Sequence, residues 1–331
     1  MTSEIPVSAR ECLDSAVLCY LSVPTSKGPH LTPVVFVFDG GRLWLTTSRR
    51  SLKARAWKRN RRVAGLIEGG DRAVTFRGSV RLYDALDPFS WPSAALGAPR
   101  LMRAAARFTS KNARFFAGYA VDASRVPFAW SPPGRVFAAI EMDGGRVLDQ
   151  SAGAVVDEWG NWPADLEYAP SYPARQRGRA ARLALPSDVR DAVSKARTGA
   201  IALEGPLTTV LPVRVAGALD RSGSEATLPR AFADLAFADA ECRAAITVGH
   251  ASTWRAAEMT GMLLQGRGTV YAMNSVKEGK DELRRRLRTT AGSVASSSEL
   301  ALVTLEPSRA VWWSGWTAGT VEAGTGKARR P

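Results

Sequence analysis

Short apolar runs separated by polar turns dominate the first 150 residues of the chain. Runs of five to eight such residues are typical of buried β-strands. The glycines in Asp39-Gly40-Gly41-Arg42 indicate a hairpin, because glycine readily adopts the positive φ that tight turns need. Helical patterns cover Ser8–Ala16, Ser51–Asn60 and Pro99–Tyr119. The predicted strands are Val17–Val23, Leu31–Phe38, Leu43–Thr47, Val63–Glu68, Ala73–Tyr83 and Val136–Met142.

The second half of the chain repeats landmarks of the first. Thr32-Pro33-Val34-Val35 matches Leu211-Pro212-Val213-Arg214, and Arg77-Gly78 is followed by Tyr83 much as Gln265-Gly266 is followed by Tyr271. Such an internal repeat is typical of two similar domains in one chain. We therefore predict a mainly β fold with short helices, built as two tandem Greek-key split barrels that form an intrachain pseudo-dimer.

The predicted domain boundaries follow changes in composition along the chain. Residues 1–149 form the first, cofactor-binding barrel, and residues 150–190 form a connector rich in proline and arginine. Residues 191–316 form a second, degenerate barrel. The tail, residues 317–331, has little to bury and is predicted to be disordered.

Composition narrows the function classes. The net charge is +14, with 22 basic and 15 acidic residues up to position 165 and 23 against 16 beyond it. A nucleic-acid-binding arm would concentrate this excess, so the even spread argues against one.

No apolar run reaches the length of a membrane span, and the N-terminus lacks a signal-peptide profile, which favours a cytoplasmic protein. The three cysteines and two histidines offer no zinc-binding spacing, so no metal site is predicted.

The most informative segment joins the third strand to the first basic helix. Thr46, Thr47 and Ser48 end the strand, and Ser51 is a helix N-cap candidate, so hydroxyls and free helix amides together predict a phosphate site. On a helical wheel Lys53 lies with Ala56 and Trp57 on the inner face. Four basic residues lie on the opposite, solvated face: Arg55, Lys58, Arg59 and Arg62. The alternative for Lys53 is an ammonium that reaches solvent between helix and barrel.

Several segments in order resemble the FMN-binding split barrels of the pyridoxamine 5'-phosphate oxidase superfamily. They are His30–Val37, the glycine hairpin, Trp44–Ser48, Ser51–Lys53 and Val74–Tyr83. The resemblance implies that Thr46, Thr47, Ser51 and Lys53 hold a flavin phosphate, and that the strand with Thr32 and Val34 lies along the isoalloxazine ring or ribityl chain.

The segment from Pro307 to Gly315 is similar to the closing strand of that family, whose aromatic residue reaches the flavin of the other subunit. The resemblance assigns this role to Trp313, although a tryptophan there also suits a hydrophobic interface. The basic and histidine residues that family oxidases use for pyridoxamine phosphate do not follow here, which argues against vitamin B6 oxidation. His30 precedes a strand and is a further pocket-lining candidate.

The resemblance implies an FMN-dependent oxidoreductase acting on a small molecule, with no catalytic acid or base assigned. The deazaflavin F420 is the alternative cofactor, and a non-catalytic barrel that binds flavin, haem or a protein partner through the connector arginines is the third hypothesis. Counted from the proline of each repeat, Glu225, Ala226 and Phe232 replace Thr46, Thr47 and Lys53, so the second barrel is predicted to lack a phosphate site. The chain is expected to be a monomeric pseudo-dimer or a homodimer.

Overall fold

A computed structural model of the chain describes residues 4–84, 86–87, 95–122, 124, 134–163, 166–173, 185–215, 224–250, 255–291, 298–322 and 328–329. Its fifteen strands form two sheets, each of which closes on itself. The strands of the first sheet are β1 (Leu18–Val23), β2 (His30–Asp39), β3 (Arg42–Ser48), β4 (Arg62–Gly69), β5 (Arg72–Tyr83), β6 (Arg135–Asp149) and β7 (Ala154–Gly160).

The second sheet repeats this arrangement. Its strands are β8 (Thr198–Leu203), β9 (Thr209–Val215), β10 (Ser224–Pro229), β11 (Glu241–His250), β12 (Thr260–Ala272), β13 (Leu300–Ser314), β14 (Thr317–Glu322) and β15 (Ala328–Arg329). The helices are α1 (Val7–Ser15), α2 (Leu52–Arg59), α3 (Ala98–Lys111), α4 (Ala113–Val121), α5 (Ser187–Lys195), α6 (Arg230–Ala233) and α7 (Lys280–Ala291).

Two antiparallel six-stranded barrels result. In the first, β3 pairs with β6 and closes the ring, and in the second β10 pairs with β13 in the same way. Each barrel has a register shift at the same place, between Arg77 and Gly78 and between Gln265 and Gly266. The predicted tandem split barrels are confirmed.

The two barrels pack through equivalent edges. The Thr75 hydroxyl donates to the Val210 carbonyl at 2.7 Å, and the Thr247 hydroxyl donates to the Leu31 carbonyl at 2.7 Å. Arg77 Nε donates to the Thr208 carbonyl at 3.3 Å, and Gln265 Nε2 donates to the Pro29 carbonyl at 2.8 Å. The apolar core of the second barrel continues across this interface into Leu31, Ala64, Leu66, Ala73 and Leu148 of the first. The tandem barrels therefore fit a pseudo-dimer.

The structure corrects one boundary in the tail. Thr317–Glu322, predicted to be disordered, forms β14 on the edge of β13. Gly319 lets this strand pack closely against the Trp312 ring, because a Cβ at this position would lie only 2.5 Å from that ring. Val321 is buried there. The connector arginines at positions 175–182 lie outside the described residues, and no helix in the described part of the chain is long and apolar enough to cross a bilayer.

Candidate functional site

The site lies where β3 ends and α2 begins. Ser51 takes an extended conformation as the N-cap of α2, and its Oγ accepts a hydrogen bond from the Ala54 amide at 3.1 Å. The Thr47 and Ser51 hydroxyl oxygens are 3.1 Å apart, so one donates to the other. The start of α2 thus follows directly on the end of β3, and a helix start attracts an anion.

The buried and exposed faces of α2 are those that the helical wheel predicts. Trp57 and Ala54 are buried against the barrel, whereas Arg55, Lys58 and Arg59 are exposed. Lys53 is only partly exposed, and its ammonium donates to the Thr32 hydroxyl on β2. The prediction that Lys53 points toward the body of the protein agrees with this contact.

The Lys53 ammonium is desolvated and lies near a second positive charge, the Arg135 guanidinium. Burial, together with the nearby Arg135 guanidinium, lowers the pKa of the ammonium to about 8. No carboxylate pairs with Lys53 among the described residues. A cation that is desolvated without a counter-ion is costly, so this position favours an anionic ligand.

Arg135 is a candidate site residue that the sequence did not reveal. It opens β6 opposite Ser48, and its guanidinium donates to the Thr46 hydroxyl at 2.7 and 3.0 Å and to the Thr46 carbonyl at 3.0 Å. Its only sequence signal is a basic residue at the start of a predicted barrel strand. The pairing of β6 with β3 brings it to the predicted site.

His30 adds a group from the beginning of β2. Its Nδ1 is buried and has no hydrogen-bond partner. Burial, together with the positive charges of Lys53 and of Arg309 from the second barrel, lowers the pKa of the imidazole to about 3. His30 is therefore a neutral imidazole between cationic groups of both barrels.

The remaining predicted residues are placed differently. Ser48 Oγ accepts from the Arg50 amide at 3.4 Å at the turn into α2. Val34 packs against the core of the first barrel, so only its backbone is available to a ligand. Trp313 lies on β13, on the same side of the strand as Arg309, and a Cβ on Gly261 would lie 2.7 Å from its ring. The contacts of these residues form three pairs at this end of the barrel: Thr47 with Ser51, Lys53 with Thr32, and Thr46 with Arg135. Trp313 belongs to another group of contacts.

Strand register changes the comparison between the two barrels. Ser48 pairs with Arg135 and Pro229 pairs with Leu300, while Thr46 pairs with Phe137 and Thr227 pairs with Leu302. The counterparts of Thr46, Thr47 and Ser48 are therefore Thr227, Leu228 and Pro229. The prediction that Glu225 and Ala226 are the counterparts of Thr46 and Thr47 is wrong by two residues. It counts residues from the proline of each repeat, and the connection between that strand and the next differs in length between the two barrels.

The corrected register keeps a threonine, Thr227, at the position of Thr46, but removes the other candidate phosphate ligands from the second barrel. Leu300 takes the place of Arg135, and α6 begins at Arg230 directly after Pro229, so the segment with the Ser51 cap has no counterpart. Phe232 is buried in the core of the second barrel. Glu225 lies two residues further back on β10, with one carboxylate oxygen 3.5 Å from Arg286.

Comparison with known proteins gives one family match, and no curated protein matches the chain. Similar solved structures include a FAD-binding protein from Mesorhizobium loti, with 17% identity over 44% of this chain and 93% of that one and a TM-score of 0.32. A pyridoxamine 5'-phosphate oxidase-related, FMN-binding protein from Nostoc punctiforme has 18% identity over 42% and 77%, with a TM-score of 0.31. An F420 reductase has 19% identity over 42% and 95%, with a TM-score of 0.29.

The family match covers the segment that carries the site. Residues 8–87 match the family described as pyridoxamine 5'-phosphate oxidase. This range includes β1 to β5 and α2, and with them every predicted phosphate ligand. Over residues 8–87 the chain therefore carries the pyridoxamine 5'-phosphate oxidase pattern that its sequence predicts.

Proposed function

We propose that this protein is an FMN-dependent oxidoreductase that acts on a small molecule at the interface of its two barrels. The desolvated Lys53 ammonium, which lies near Arg135 and pairs with no carboxylate of the described residues, carries the proposal. Lys53 lies within residues 8–87, which match the family. An ammonium, a guanidinium, two threonine hydroxyls and a capped helix start together are the donor set that a phosphate monoester needs.

The residues present fit a flavin phosphate. Lys53 and Arg135 supply positive charge, the Thr46 and Thr47 hydroxyls supply neutral donors, and the first amides of α2 supply backbone donors. Ser51 holds this helix start in place through its bond to the Ala54 amide. His30 Nδ1 is a buried polar atom that a bound molecule would satisfy.

The protein's part in catalysis would be binding and orientation. Bound FMN supplies the hydride chemistry. Lys53 and Arg135 would hold the phosphate end of the cofactor, and β2 with Thr32 and β13 with Trp313 would be the surfaces that orient its ring. We assign no general acid or base among the described residues; the pKa of His30, lowered to about 3, makes its imidazole a weak proton acceptor.

The first test is the chromophore. We expect the visible spectrum of the purified protein, and mass spectrometry of what denaturation releases, to identify FMN. Release of F420 would replace FMN with the deazaflavin, and release of haem would overturn the oxidoreductase proposal.

Titration with FMN tests the proposed phosphate site directly. Riboflavin is the matched control, because it has the flavin ring and lacks the phosphate. FMN should bind roughly 100-fold more tightly than riboflavin, since two or more charge-assisted hydrogen bonds depend on the phosphate. Equal affinities would contradict the site.

Redox competence is tested on the loaded protein. Under anaerobic conditions, bound FMN should be bleached by a reduced nicotinamide or by dithionite and should recover its spectrum when an electron acceptor is added. Bound flavin that no added electron donor or acceptor can reach would support a non-catalytic binding barrel.

A further inference from the structure

A cleft shared by the two barrels lies at the counterpart of the Lys53 site in the second barrel. It has a volume of about 550 Å³, within the range of small-molecule pockets. The second barrel contributes the end of β10, the start of β13 and Pro212 of β9. The first barrel contributes Glu68 and the turn at residues 150–153. Both barrels are therefore needed to form it.

The walls of this second cleft do not suit phosphate. Leu228 and Leu300 stand where the first site has Thr47 and Arg135, and Pro229 stands where it has Ser48. With Pro212 and Val213, these side chains make an apolar surface. A ligand here would be held through its apolar body.

Three polar groups in the cleft lack hydrogen-bond partners among the described residues: the Thr227 hydroxyl, the Glu68 carboxyl and Arg230 Nε, the last of which lies 3.7 Å from Asp234. Thr227 is 1% exposed, and its hydroxyl has no hydrogen-bond partner although it lies in the cleft wall. Glu68 has no ion pair or hydrogen bond with the described residues, and burial raises the pKa of its carboxyl to about 7. An unsatisfied buried hydroxyl destabilises the folded state, so a bound molecule that satisfies it would be favoured.

The other charged groups of the cleft offset one another or lie at its rim. Arg230 lies 3.7 Å from Asp234, and Arg214 and Glu299 are exposed. In the first barrel site, by contrast, Gly249 is the residue equivalent to Glu68. Glu68 lies four residues after Ala64, which pairs with Arg77 at the register shift of the first barrel. Gly249 lies four residues after Ala245, which pairs with Gln265 at the register shift of the second. The first site thus has cations and no residue with a side chain at this position, whereas the second cleft has the Glu68 carboxylate there, with Arg214 and Arg230 elsewhere in its lining.

We propose that the second cleft binds a phosphate-free small molecule with an apolar body and a protonated amine. The amine pairs with the Glu68 carboxylate, the Thr227 hydroxyl hydrogen-bonds the ligand, and the apolar body lies against Pro212, Leu228 and Leu300. The cleft is separate from the Lys53 site, and the inference does not depend on the proposed function.

The probe is 1-naphthylmethylamine, with 1-naphthylmethanol and 1-naphthoate as controls of similar size. Calorimetry on the full chain at pH 8 should give one saturable site for the amine, about tenfold weaker binding of the alcohol and no saturation by the carboxylate. Glu68→Gln should weaken the amine about tenfold. Glu141→Gln, an exposed carboxylate outside the cleft, should leave it unchanged.

Thr227→Val separates a binding role from a structural one. Removal of an unsatisfied buried hydroxyl should raise the melting temperature, while binding of the amine weakens several-fold. Lys53→Ala should leave amine binding unchanged, whatever it does to FMN. The proposal is overturned if the amine does not saturate, if it binds Glu68→Gln or Thr227→Val as tightly as wild type, or if Lys53→Ala abolishes its binding.

Discussion

The pH dependence of FMN binding tests the role of Lys53 in depth. Because the pKa of the ammonium is about 8, the free protein carries this charge on about nine-tenths of molecules at pH 7 and one-tenth near pH 9. A bound phosphate stabilises the charged form and raises the pKa. Binding above pH 8 therefore requires proton uptake, and the FMN dissociation constant should rise about tenfold per pH unit there.

Lys53→Met removes both the charge and this dependence. At pH 7 the variant should bind FMN about 10- to 100-fold more weakly, which corresponds to about 1.5–3 kcal/mol for one charge-assisted hydrogen bond. By pH 9.5 the difference from wild type should shrink to a few-fold, because the wild-type lysine is then largely neutral in the free protein.

Flavin fluorescence titration between pH 7 and 9.5 measures both dissociation constants. Arg59→Met is the matched control, since Arg59 is a cation of the same helix that points to solvent, and its effect should stay within about twofold. A wild-type to Lys53→Met ratio that does not change with pH would refute the reasoning, as would an equal loss in Arg59→Met.

Three further substitutions have defined outcomes. Arg135→Leu, which copies Leu300 of the second barrel, should weaken FMN about tenfold or more in the same titration, and unchanged affinity would exclude Arg135 from the site. Trp313→Ala should weaken FMN roughly three- to tenfold, with recovery in Trp313→Phe, and indifference would leave the tryptophan a purely interfacial role. Arg77→Met should lower the free energy of unfolding in urea by about 2–4 kcal/mol, because Arg77 stacks 4.0 Å from the Trp162 ring and donates across the interface. Exposed Arg81→Met on the same strand is its control.

The local features of the fold could be predicted from the sequence. The glycine hairpin, the strand ends with Thr46 and Thr47, and the buried face of α2 depend on residues close together in the chain. The repeat was also visible, because Arg77-Gly78 and Gln265-Gly266 mark the same bulge in both barrels.

The non-local features could not be predicted in the same way. Arg135 lies 89 positions from Thr46, and only the closure of the barrel brings them together. The counterparts of Thr46 and Thr47 in the second barrel depend on strand register. Counting residues from Pro212 gives the wrong positions, because the hairpin differs in length between the two barrels. The strand at Thr317–Glu322 forms through its pairing with β13 and the fit of Gly319 under Trp312, not through its own hydrophobicity.

The central claim is that the chain binds one phosphate-bearing cofactor, at the first barrel alone. Native mass spectrometry of the protein with excess FMN measures cofactors per chain and chains per particle together. We expect one FMN per chain in the wild type and none in a Lys53→Met, Arg135→Leu double variant. Two FMN molecules per chain, or one retained in the double variant, would contradict the account.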